Sequence, residues 1–143
     1  MSSKLSLIKE LESISKLKSQ LNKRENELTR PILSDLSMVK EIYGWFVQIL
    51  SERDCPPNPE SVIQRKKFLF IIMAIFCPKS LVGGKLSHGV RSELAKVFPK
   101  LNPCVISHNI ADVSFMFQHY RDFRQDIESI YSEILEKLDG KRI

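Results

Sequence analysis

No Cys-x-x-Cys pair occurs among the 143 residues, and the three cysteines, Cys55, Cys77 and Cys104, cannot all pair within one chain. Such usage fits a reducing compartment, so the cytoplasm is the expected location. Long apolar runs are missing as well. The longest, Phe68 to Cys77, has ten residues, and as a helix it would be about 15 Å long, half of a bilayer core. It is expected to be a buried helix, and no membrane association is expected. The first residues, MSSKLSLIKELESISKL, alternate leucine with charge and lack the apolar block of a signal peptide. Glycine is sparse, and the one doublet, Gly83-Gly84, lies outside the G-x-x-x-x-G-K-[ST] spacing of a phosphate loop. Its expected use is a sharp turn or a close backbone approach, with Lys85 beside it placed to meet a phosphate.

What remains is ordinary globular material. With 43% hydrophobic and 27% charged residues, the chain has the composition of one domain with a real core, plus an appended helix. The net charge of +5 is unevenly spread. Residues 61–100 hold eight basic side chains against Glu93 alone, whereas 101–143 hold five basic and seven acidic ones. A basic band of this kind points to a polyanionic partner.

From Ser3 to Thr29 the spacing predicts one helix. Leu7, Ile14, Leu21 and Leu28 recur every seven residues, with Leu11 and Leu17 flanking the stripe. Lys18, Arg24 and Glu25 interrupt the other seam position, so the repeat over 1–30 reads as a short coiled coil, suited to a homodimer or a helical protein partner. Ser34 or Asp35 is the expected cap of a second helix, whose wide apolar face runs from Leu36 through Trp45 to Leu50. Cys55-Pro56-Pro57 ends it. Asn58-Pro59-Glu60 is a start signal, with Asn at the cap and Pro in the first turn. The helix it opens carries Arg65, Lys66 and Lys67 and is then apolar all round, as a central helix must be. Pro78 closes it, and Leu81 to Leu86 is expected to be a flexible connection.

The stretch Ser87 to Tyr120 has the layout of a helix-turn-helix: a helix to Phe98, a turn Pro99 to Asn102, and a second helix opened by the cap-and-proline pair Asn102-Pro103. Val90, Leu94, Val97 and Phe98 are expected to face inward, and Arg91 and Lys96 outward. In the second helix Ile106, Ile110, Val113, Phe117 and Tyr120 form the expected core stripe, leaving Cys104, Ser107, His108 and Asn109 outside. The last stretch keeps Phe123, Ile127, Ile130, Tyr131, Ile134, Leu135 and Leu138 at helical spacing. Its acidic outer face would hold Asp126, Glu128, Glu133 and Glu136, and Gly140 would supply the stop. Whether it continues the preceding helix or is capped anew by Asp122 is left open by the sequence.

The run Glu93-Leu94-Ala95-Lys96-Val97-Phe98, with His108 ten residues on, resembles the helix-turn-helix of the C-terminal DNA-binding domain of the bacterial replication initiator DnaA. Asn102, Ile106 and His108 fall where that family has Asp, Val and a common His. Leu101 and Pro103-Cys104-Val105 replace the family's Arg and His-Thr-Thr. The resemblance spans about 35 of the 143 residues and implies a fold of this kind with contact to DNA.

The expected architecture is therefore all-α: an N-terminal amphipathic leucine-repeat helix over 1–30, then a five-helix bundle over 31–143 with a helix-turn-helix at about 87–120. Double-stranded DNA is the expected partner. Lys85, Arg91, Lys96 and Lys100 would meet phosphates, and Asn102, Ser107, His108 and Asn109 would lie near the bases. Cys77, His88, Cys104 and His108 have no familiar zinc spacing, and Cys104 with His108 lacks a third group for catalysis. Neither a metal, a cofactor nor an enzymatic activity is expected.

Overall fold

A computed structural model describes residues 4–100 and 102–141. Among them are six α-helices, one 3₁₀ turn and no strand. The helices are α1 (Lys4–Leu28), α2 (Met38–Ser51), α3 (Val62–Phe76), α4 (His88–Val97), α5 (Pro103–His119) and α6 (Arg121–Lys141). The expected helix start at Ser3 and the family comparison at Leu101 lie outside the described residues. The chain divides into two compact units, Met1–Arg30 and Pro31–Ile143.

The first unit is α1 and its end. Thr29 closes it, its amide and its hydroxyl both donating to the Glu25 carbonyl, at 2.9 and 2.7 Å. No residue of α1 is buried. Leu7, Leu11, Ile14, Leu17, Leu21 and Leu28 all stand exposed.

The second unit is the five-helix bundle α2–α6, built around α3. Phe68, Ile71, Ile72, Met73 and Ile75 have no exposed surface, because α2, α5, α6 and the 3₁₀ turn pack against different sides of this helix. Each such side chain contributes roughly 1.5–3 kcal/mol relative to exposure. An aromatic group joins three parts of the bundle: Tyr43 and Phe46 from α2, Phe68 from α3, and Phe98 at the end of α4. The Phe46 and Phe68 rings lie 5.2 Å apart and Tyr43 and Phe98 5.1 Å apart. Trp45 is half-buried against the same core.

Helix starts depart from expectation twice, for one reason. Asp35 accepts from the amide and hydroxyl of Ser37, at 3.1 and 2.7 Å, so it closes a turn and α2 begins at Met38. Likewise Asn58 accepts from the Glu60 amide at 2.9 Å while its carbonyl accepts from Ser61, and α3 begins only at Val62. In both places the short polar side chain folds back on its own backbone two residues on. Asn102 behaves as expected and caps α5 by accepting from the Cys104 amide at 2.9 Å.

The connection after α3 is not a flexible loop. Pro78–Val82 forms a 3₁₀ turn in which the Ser80 hydroxyl donates to the Cys77 carbonyl at 2.6 Å, and Leu86 is buried. Gly83 then takes φ +99, the left-handed region open to glycine.

At the other end, α5 and α6 are separate helices. Tyr120 breaks them with extended backbone (φ −108, ψ 107), and its carbonyl accepts from Arg124. Tyr120 is thus a joint, 52% exposed, and not a member of the core stripe. Ile106 and Val113 are buried in that stripe, and Ile110 and Phe117 pack against it. Gly140 does not end α6, which runs through it to Lys141. Asp126 leaves the acidic outer face: it is half-buried and bonds Arg53 of the α2–α3 connection and Lys67 of α3, the latter at 2.6 Å.

Candidate nucleic-acid interface

Three of the sequence-selected residues come together around one groove of about 530 Å³ between the glycine loop, α4 and α5. Lys85 follows the loop, Arg91 comes from the first turns of α4, and Ser107 comes from α5. The loop can sit there because of Gly84. A Cβ at that position would lie 2.8 Å from the Lys79 carbonyl oxygen, the same oxygen that accepts the Gly84 amide at 2.8 Å. Ser87 starts α4 properly, its hydroxyl accepting from the Val90 amide at 3.3 Å.

The groove has two cationic side chains and no acidic residue in its lining. Neither Lys85 nor Arg91 forms an ion pair with an acid among the described residues, whereas several other cations of the basic band are engaged. Lys67 bonds Asp126, Lys66 lies 3.8 Å from Asp112, and Lys96 lies 3.0 Å from Glu93. Arg91 is half-buried instead of pointing freely outward, and its Nε is buried with no hydrogen-bond partner among the described residues. A buried guanidinium nitrogen without an acceptor costs free energy until an anion or water supplies one. The lining also includes Ser114, whose hydroxyl donates to the Leu81 carbonyl at 3.4 Å, and the buried Ser80. Chemically, the groove is suited to an anion with several oxygens, such as a phosphate.

The remaining candidates are scattered. Lys96 lines a recess with Lys40, Tyr43 and Glu93 between α2 and α4. Lys100 lines another with Arg65, where Glu60 offsets the charge. The Asn102 side-chain oxygen is occupied by its cap bond, while the residue stays exposed. Asn109 is turned inward beside Arg65, Leu69, Leu94 and Ile106, because it follows Ile106 by three residues and so shares the buried side of α5. It is therefore withdrawn from the outer face. His108 and Cys104 stay exposed there.

Two features escaped the sequence. Ser114 shares the groove face with Ser107 two turns earlier, a spacing that becomes informative only once Arg91 is known to lie opposite. Phe115 is 53% exposed and its ring lies 4.3 Å from that of His119. The available signal was its position off the Ile106, Val113 and Phe117 stripe.

Among the described residues, no three His, Cys, Asp or Glu side chains gather where they could hold a metal ion. None of the described helices is long and apolar enough to cross a membrane. Comparison with protein-family models, with curated proteins and with solved structures returns no match.

Proposed function

We propose that this chain binds duplex DNA mainly through its phosphates, with α4, the turn and α5 as the docking unit. The observation that carries this reading is the acid-free groove in which Lys85 and the under-satisfied Arg91 face the glycine loop and the hydroxyls of α5. The capped second helix and the resemblance of Glu93 to His108 to an initiator helix-turn-helix support it. The exposed face of α5 offers His108 and Phe115 and no Arg or Lys, so sequence readout contributes little and backbone contact most.

Fluorescence anisotropy with a labelled duplex at about 50 and 200 mM salt tests this. Affinity should fall with salt. Lys85→Glu with Arg91→Met, which keeps the buried stem, should lower the slope of log K against log salt by about 2. Absence of binding at the lower salt, or a slope untouched by the double substitution, sinks the proposal.

A second reading is favoured by α1. Its exposed leucines, with no residue buried, suit a helical interaction module that needs no nucleic acid. Deletion of residues 1–30 should then abolish self-association or partner capture, and an unchanged sedimentation profile would count against it.

A further inference from the structure

The apolar stripe of α1 has a symmetry of its own. Counted from Ile14, the residues at −3 and +3 are Leu11 and Leu17, and those at −7 and +7 are Leu7 and Leu21. Those at −4 and +4 are Glu10 and Lys18, of opposite charge. At about 100° per residue, Leu7 and Leu21 lie about 20° to either side of Ile14, Glu10 and Lys18 about 40°, and Leu11 and Leu17 about 60°. All seven side chains are exposed on one face. Between Leu7 and Leu21 the face therefore maps onto itself when the helix direction is reversed, with one change: acid becomes base; Glu25 and Leu28, further along the same face, stand outside this symmetric stretch.

That pattern selects an occupant. We infer that α1 pairs with α1 of a second copy of this chain, antiparallel, with the two-fold axis through Ile14. In this register Ile14 meets Ile14, each Leu11 shares a layer with the other copy's Leu17, and each Leu7 with the other's Leu21. Glu10 of each copy meets Lys18 of the other, giving two ion pairs that flank an apolar centre. The parallel in-register pair keeps the leucines but stacks Glu10 on Glu10 and Lys18 on Lys18, so like charges oppose it. Arg24 takes no part, being turned to Glu27 of its own helix at 3.4 Å. The two Leu28 ends of such a pair fall about 42 Å apart along the axis. The inference is independent of DNA and rests on the reading of α1 as an association element.

The test is sedimentation equilibrium of the full chain over about 5–500 µM, where a seam of this length should dimerise. Glu10→Lys alone, or Lys18→Glu alone, turns two attractive pairs into two repulsive ones and should weaken the dimer roughly tenfold. The double substitution Glu10→Lys with Lys18→Glu should restore it to within about twofold. All of these positions are exposed, so the folded unit over 31–143 is left intact as an internal control. A dimer lost on deleting residues 1–30 but indifferent to the charge swaps overturns the register while leaving α1 as an association element. A chain monomeric over the whole range, or a dimer that survives the deletion, overturns the inference itself.

Discussion

Asp126 is the residue on which the second unit's electrostatics turn. Partial burial by itself raises its carboxyl, but the hydrogen bonds and charges of Arg53 and Lys67 outweigh burial and hold it below the ordinary carboxylate value. A lowered folded-state value means the stabilisation is complete above the unfolded value near 4 and is lost as pH falls through the folded value. Stability measured in urea should therefore decline below about pH 4, and Asp126→Asn should flatten that decline. At pH 7 the same substitution should cost about 2 kcal/mol, because Lys67, with only 12% of its side chain exposed, loses its carboxylate. An acid limb that keeps its full steepness in the variant would exclude this assignment. None of this was legible in the sequence: the partners lie 73 and 59 residues away, and helical spacing placed Asp126 with the outer acids.

At the scale of elements, turns proved harder to read than helices. Apolar periodicity located all five bundle helices because the core stripes of α2, α5 and α6 follow directly from 3.6 residues per turn. The Asn-Pro pairs looked alike, yet Asn102 caps α5 while Asn58 closes a turn before α3. Local chemistry permits both. Asn102→Ala should accordingly cost about 1 kcal/mol of stability by denaturation, the usual worth of a cap. Two glycines make a sharper contrast. Gly44 lies exposed in the middle of α2, and a methyl group added there would meet nothing within 4 Å, so Gly44→Ala should stabilise by about 0.5–1 kcal/mol. Gly84→Ala drives a Cβ against the Lys79 carbonyl and should destabilise by about 1–2 kcal/mol while opening the groove. Equal effects of the two substitutions would contradict the close approach.

On the scale of the whole molecule, the sequence anticipated a separate N-terminal helix and a bundle, and the chain divides at Arg30. The groove was half legible: Lys85 beside the glycines, Arg91 in the following helix and Ser107 were visible, but Ser80 and Ser114 were not, and Asn109, expected outside, is half-buried in a different recess. With no residue of α1 buried, removal of residues 1–30 should shift the cooperative melting of the remainder by no more than about 2–4 °C. A larger drop in a thermal scan would show that α1 supports the bundle.

The chain has one tryptophan, Trp45, half-buried on α2, and α1 carries no aromatic residue. The two units are therefore optically distinct. Trp45 emission follows the bundle alone, while far-ultraviolet ellipticity sums both. Recorded together during unfolding or dilution, the two signals separate melting of the bundle from fraying of α1, with no label attached to either.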